Sequence, residues 1–281
     1  MSAFTSMKLF IRLRRSYNGA NKYRSISLIP FTSHDEQRKT DIETKRRELM
    51  ARGLPKLKPL KGVKQIVVVA SGKGGVGKST TAVNLSIALK LTEPQKLVGL
   101  LDADVFGPSV PLMMNIRQSP IVNDTNLIEP VVNYGIKCMS MGFLIDDKSP
   151  VIWRGLMVMN AIEKLLHQVA WDPLDYLVID TPPGTGDTHL SIIQNLPIAG
   201  ALLISTPQKA ALEVTRRGAN MFKRLNIPII GIVENMKDIV NSCDTGKPIV
   251  LSAPESPQAD AYKYLAKHVI SFLAKQPLNL E

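Results

Sequence analysis

Cysteine is scarce in this chain: Cys138 and Cys243 are the only two in 281 residues. Two thiols cannot build a disulfide framework, and alone they cannot complete a four-ligand metal site. That scarcity fits a reducing compartment. Long apolar runs are also missing. No stretch nears the roughly 18 uncharged residues that a spanning helix needs, so stable membrane insertion is not expected. Internal repeats and low-complexity segments are absent as well. A more local absence is acid: residues 1–34 hold Lys8, Arg12, Arg14, Arg15, Lys22 and Arg24 with no Asp or Glu.

That segment supplies six of the eleven net positive charges, leaving +5 for the remainder. A nucleic-acid-binding reading of the net charge therefore loses its basis. Residues 1–34 are also serine-rich, and Phe4, Met7, Phe10 and Ile11 can share a helical face. Basic, serine-rich, acid-free and amphipathic is the composition of a mitochondrial transit peptide. Residues 35–62 are charged and then carry Pro55 and Pro59, which predicts a short helix and a linker.

From Gln65 the pattern changes. Ile66-Val67-Val68-Val69-Ala70 is the unbroken β-branched run of a strand buried on both faces. Further strands are predicted at Leu97 to Leu101, Gly135 to Ser140, Tyr176 to Ile179, Ala201 to Ile204 and Ile229 to Val233. Between them helical periodicity covers Thr81 to Lys90, Leu156 to Val169 and Ala210 to Leu225. The alternation predicts one α/β domain over residues 63–281, a mostly parallel, doubly wound sheet with helices on both faces. A last helix carries Tyr262, Leu265, Val269, Phe272 and Leu273 on one stripe, expected to dock on the core.

Gly72-Lys73-Gly74-Gly75-Val76-Gly77-Lys78-Ser79-Thr80 stands between the first strand and the first helix. Gly72, Gly74 and Gly77 satisfy the dinucleotide pattern G-x-G-x-x-G, but the same residues satisfy G-x-x-x-x-G-K-[ST], which specifies more chemistry. Backbone N–H groups of such a loop form an anion nest at a helix N-terminus. Lys78 can reach the β and γ phosphates, and the Ser79 hydroxyl can ligate magnesium. Acids are needed opposite, at neighbouring strand ends. Asp180 closes Leu177-Val178-Ile179 in the Walker-B position and opens the switch-like Thr181-Pro-Pro-Gly-Thr-Gly-Asp187. Asp102 and Asp104 end the second strand, and one of them can orient an attacking water. Strand-end Asp residues also cap turns, a reading that suits Asp187 best.

Lys73 with Lys78, Asp102-Ala-Asp104-Val-Phe-Gly-Pro-Ser109 and Asp180-Thr-Pro-Pro-Gly-Thr-Gly-Asp187 resemble the deviant Walker-A (SIMIBI-like) P-loop ATPases of the Mrp/NBP35 branch. Within it, Ala51-Arg-Gly-Leu-Pro55, Met139-Ser-Met-Gly-Phe143, Trp153-Arg-Gly-Leu-Met-Val-Met159 and Asp244-Thr-Gly-Lys-Pro248 are similar to the mitochondrial NUBPL group. The resemblance implies a slow ATPase of the mitochondrial matrix, with ATP, Mg2+ and a [4Fe-4S] cluster, acting as a homodimer that supplies apoproteins of respiratory complex I. It implies that Lys73 reaches the partner's nucleotide, that Asp104 positions water, that Ser79, Asp102 and Asp180 serve magnesium, and that Asn235 contacts adenine. Asn235-Met-Lys-Asp238 is not the N-K-x-D of guanine readers.

The resemblance also implies a C-x-x-C after the Asn-Met pair, and this chain has none. Asn235-Met236 runs within a few residues into Ser242-Cys243-Asp244, so a few dozen residues are missing. Clusters are held by thiolates, which leaves Cys243 as a weak candidate ligand. Cys138 is expected to be a buried small hydrophobe, and His167 and His189 to be structural or surface residues. Losing a helix and a strand leaves a sheet edge, so Ile229 to Val233 or its neighbour is expected uncovered, or covered by residues 248–251. Two other functions stay open: a nucleotide-binding variant without cluster carriage, and a positioning ATPase acting on membrane or DNA.

Overall fold

In the computed structural model, residues 10–12, 57–105, 107–144, 155–184, 186–235 and 246–279 are described. The chain divides into a main unit, residues 1–13 with 57–281, and a smaller one, residues 14–56. All described residues belong to the main unit. Residues 35–56 of the expected helix and linker at 35–62, and most of the expected transit segment, lie outside them.

Eight strands form one sheet: β1 (Phe10–Arg12), β2 (Val63–Ser71), β3 (Val98–Asp102), β4 (Val131–Asn133), β5 (Ile136–Ser140), β6 (Leu174–Asp180), β7 (Gly200–Ser205) and β8 (Ile229–Glu234). Their spatial order is β1-β8-β7-β2-β6-β3-β5-β4, with β4 alone antiparallel. The central strand is β2, and its stretch Ile66 to Ala70 is an unbroken apolar run because both of its faces are covered. Successive side chains point to opposite faces. Val67, Val69, Leu100, Val178 and Leu202 join one core cluster, while Ile66, Val68, Leu101, Ile179 and Leu203 join the other.

The first face is covered by α1 (Lys78–Thr92), α2 (Val110–Met113), α6 (Ile249–Ser252) and α7 (Pro257–Leu273). The second is covered by α3 (Gly155–His167), α4 (Asp187–Asn195) and α5 (Lys209–Arg224). Residues Thr80 to Leu89 of α1 are all buried, because it is sandwiched between the sheet and α7. The docking stripe of α7 is as expected: Tyr262, Leu265, Val269 and Leu273 are buried. Ser256 caps that helix by accepting the Ala259 N–H at 3.1 Å, with Pro257 at the first turn.

Two features differ from the sequence expectation. Strand β4 was not anticipated; it is only three residues long, and Tyr134 and Gly135, both at positive φ, turn it back onto β5. The edge at β8 is also not as expected, since Phe10–Arg12 runs parallel beside Ile232, Val233 and Glu234. The segment proposed as its cover folds instead into α6 after Pro248, where Val250 is buried and donates its N–H to Asn84 Oδ1 at 3.3 Å. Proline pre-sets a turn and donates no ladder hydrogen bond, which favours helix over strand at that point.

The packing of α1 gives a direct test. Leu85 is fully buried in the first core cluster. Leu85→Ala is expected to destabilise the protein by about 2–5 kcal/mol through lost burial and a residual cavity, read from urea unfolding.

Candidate nucleotide site

The loop Gly72 to Gly77 leaves the end of the central strand and enters α1. Gly75 and Gly77 have φ of 73° and 85°, values that suit glycine and let the backbone curl. At Gly77 a side chain has no room, because its first carbon would collide with the Asn235 amide. At Gly74 and Gly75 the space is open. Helix α1 starts with no side-chain cap and no acid in its first turn, so its leading N–H groups face the loop without a built-in anion.

Parallel register brings the acids to this point. Asp102 of β3 is aligned with Asp180 of β6 on one side and with Ser140 of β5 on the other. Lys78 is buried, and its Nζ donates to Asp180 Oδ1 at 2.6 Å and to Ser79 Oγ at 3.3 Å, with Asp104 Oδ2 at 3.8 Å. Asp180 is fully buried, and its second oxygen, Oδ2, has no hydrogen-bond partner among the described residues. Burial holds the Asp180 carboxyl above its ordinary range, with Lys78 pulling the other way.

Asp102, expected as a magnesium ligand, has both carboxylate oxygens engaged by donors of the chain. Its Oδ2 accepts the N–H groups of Ser109 and Val110 and the Ser140 hydroxyl, at 3.0, 3.1 and 3.0 Å. Its Oδ1 accepts the Asp104 N–H at 3.1 Å. Burial and the neighbouring Asp180 charge push Asp102 up to about 7 despite those donors.

Asn235 lies just past β8 and reaches the loop, donating from Nδ2 to the Val76 carbonyl at 2.9 Å. Its Oδ1 is buried and has no hydrogen-bond partner among the described residues. A bare acceptor beside a phosphate loop can receive an exocyclic amine. Lys73 is exposed at the loop's outer side and forms no ion pair among the described residues. Cys243 lies outside the described residues. Cys138 is buried in β5 as expected, and burial pushes its thiol up, away from the thiolate a metal needs.

One residue of the site was read from sequence only as structural. His189, on α4, is buried and has Nδ1 at 3.1 Å from the Pro182 carbonyl of the switch-like loop, so Nδ1 carries the proton. Its ring meets Phe222 of α5 edge-on at 5.8 Å. The same loop is tied to the central strand by Thr181 N–H to Val69 O and Gly184 N–H to Ser71 O, at 3.2 and 2.8 Å. Nothing in local sequence marks that histidine, because its partners come from another turn and another helix.

A family model for the NUBPL iron-transfer P-loop NTPase, of the ParA class, matches residues 62–242. The chain belongs to the NUBPL family of P-loop NTPases. The mouse iron-sulfur cluster transfer protein NUBPL is 47% identical over 274 residues, covering 84% of this chain and 86% of the mouse protein. The Arabidopsis thaliana iron-sulfur protein required for NADH dehydrogenase, mitochondrial, is 46% identical over 252 residues, 76% of this chain and 80% of that one. Since 84% of 281 residues is about 236, roughly 38 of the 274 positions matched in the mouse NUBPL face no residue here. That agrees in size with the missing block. Among solved structures, a nucleotide-binding protein from Archaeoglobus fulgidus in complex with ADP is 38% identical with a TM-score of 0.53, covering 62% of this chain and 67% of that one. The septum site-determining protein MinD of Pyrococcus horikoshii with Mg-ADP has a TM-score of 0.56 at 20% identity, over 75% and 99% of the two chains, a likeness of fold.

Two predictions follow from the charges of this NUBPL-family site. Lys78→Ala leaves the Asp180 carboxylate buried and unpaired, so it should cost about 3–5 kcal/mol of stability; adding Asp180→Asn should recover most of that loss in urea unfolding. His189 behaves oppositely to the raised acids. Burial lowers its pKa from 6.5 to about 4, so the unfolded chain binds the extra proton in that window. Its contribution is present above pH 6.5 and is lost as pH falls from 6.5 to about 4. The melting temperature of His189→Gln should therefore fall less than that of the wild type over that interval.

Proposed function

We propose that this chain is an ATP-hydrolysing, magnesium-dependent iron-sulfur cluster transfer protein of the mitochondrial matrix, serving apoproteins of respiratory complex I. The observation that carries the nucleotide half of this reading is the buried Lys78–Asp180 pair at the mouth of an uncapped, glycine-lined helix start. The family and the printed names of the mouse and plant relatives carry the iron-sulfur half.

Lys78, Ser79 and the backbone of Gly72 to Thr80 bind the phosphates, with Lys78 exchanging Asp180 for phosphate oxygens. Ser79 Oγ and the unpartnered Asp180 Oδ2 form an oxygen donor set that suits magnesium, a hard cation. When bound, magnesium neutralises charge on the transferring phosphoryl group. Asp104 positions the attacking water. Asn235 Oδ1 receives the adenine amine. Lys73, exposed at the loop, reaches the nucleotide of a second copy in a homodimer.

Cluster binding is the point where residues and family part. Among the described residues no group of three or more Cys, His, Asp or Glu could hold a metal ion. With Cys138 buried and protonated, Cys243 is the one thiol left in each copy. Two copies supply two thiolates, and a [4Fe-4S] cluster takes four. The residues do not fit a resident cluster, so the cluster enters this reading as cargo. That thiol count favours one alternative, a nucleotide-binding member that carries no cluster.

Three measurements test the proposal. Lys73→Ala should keep nucleotide binding but lose ATP-dependent dimerisation in light scattering, and Asp104→Ala should bind ATP normally with turnover reduced by about tenfold or more. Anaerobic reconstitution with iron and sulfide separates the two readings. Visible charge-transfer absorption that disappears in Cys243→Ser supports carriage, while its absence with intact ATP turnover supports the cluster-free member.

A further inference from the structure

Resting on the nucleotide-hydrolysing reading above, we propose that Asp102 is a positioning residue: its carboxylate closes the 103–110 loop on itself and so sets where Asp104 stands. The argument begins with what a buried carboxylate requires. Asp102 is fully buried, and an ion taken from water must find donors or a cation in return. Its nearest ion in strand register is another carboxylate, Asp180, which offers no compensation. Backbone N–H groups do offer it. The Asp104 N–H lies at the start of the loop, and the Ser109 and Val110 N–H groups lie at its end.

One side chain thus grips both ends of an eight-residue excursion. The closure is completed by Ser140, the register partner on β5, whose hydroxyl donates to Asp102 and whose oxygen accepts the Gly142 N–H at 3.0 Å. The 3₁₀ turn Met141–Phe143 is thereby joined to the same carboxylate. The excursion also pairs with β6 at its root, where Ala103 N–H donates to the Asp180 carbonyl at 2.9 Å. These bonds place Asp104 with Oδ2 at 3.8 Å from Lys78 Nζ.

A metal role for Asp102 competes with this arrangement. Oδ2 already takes three donors, and turning the carboxylate toward a cation would release them. Asp180 needs no such exchange, because its Oδ2 is already without a partner. Two strand-end acids of the same type in the same row are thereby given different work: Asp180 faces the cation and Asp102 faces the chain.

Asp102→Asn keeps size and shape but replaces one acceptor oxygen by a donor, and tests this in the full chain. Turnover is expected to fall about tenfold, a change of 1.4 kcal/mol in barrier, while the magnesium concentration for half-maximal binding of a fluorescent ATP analogue stays within about twofold. In the Asp104→Ala background the same substitution should cause no further loss of turnover, since a residue acting through Asp104 has nothing left to position. A tenfold rise in the magnesium requirement, or an additive loss in the double variant, would overturn the assignment. Should Asp102→Asn not fold, Ser140→Ala removes one donor to the same oxygen and should lower turnover about threefold at an unchanged magnesium requirement; a raised requirement would again overturn it. Amide hydrogen exchange at Ser109 and Val110 reads the closure even if the wild type hydrolyses nothing, which would fault the functional reading alone. Slow exchange in the wild type, lost in the variant, supports the closure, and fast exchange in both would overturn it.

Discussion

Lys78 and Asp180 hold each other inside the protein, and the site is organised around that pair. One charge stands at the first residue of α1 and the other at the last residue of β6, so the pair fastens the main phosphate-facing helix to the sheet. Two ions removed from water depend on each other strongly, because either alone is costly there. Asp104 stands at the edge of the pair and Ser79 touches it. On the function proposed above, a nucleotide entering the loop meets a cation already spoken for, and binding is an exchange of one anion for another. Each charge of the pair is thus buried against its opposite.

The strands explain how such a pair arises from an ordinary α/β chain. Parallel register puts Ser140, Asp102, Asp180 and Val69 in one row across four strands. Each polar end in that row lies where the apolar run stops, at the carboxyl edge of the sheet. From the other side, Asn235 follows β8, is held by its N–H to the Ser205 carbonyl at 2.7 Å, and reaches back to Val76. The phosphate loop is thus gripped from both flanks of the central strand. A loop of glycines alone would be mobile, and these contacts keep it in shape.

Much of this was legible in the residues. Strands buried on both faces write themselves as unbroken Val, Ile and Leu runs, and the P-loop is a contiguous motif with its own punctuation. The acids could be found because each closes such a run. What could not be read is partnership over distance. Asp102 looks like any strand-end acid until the Ser109, Val110 and Ser140 donors converge on it, and they lie 7, 8 and 38 residues away. His189 acquires its role from Pro182 and Phe222, which only the fold brings together. Strand β4 is too short for periodicity to detect. The missing C-x-x-C, by contrast, needed no fold at all, since counting thiols suffices.

The sheet edge carries a consequence of its own. Strand β1 lends its ladder to β8 from within residues 1–34, the segment whose composition is the one expected of a transit peptide. Among the described residues, none before Leu60 belongs to either core cluster. A chain processed as that composition predicts would differ from its precursor at this rim. Cleavage would bare a row of β8 amides and carbonyls, converting a closed border into one able to accept an extended segment from elsewhere.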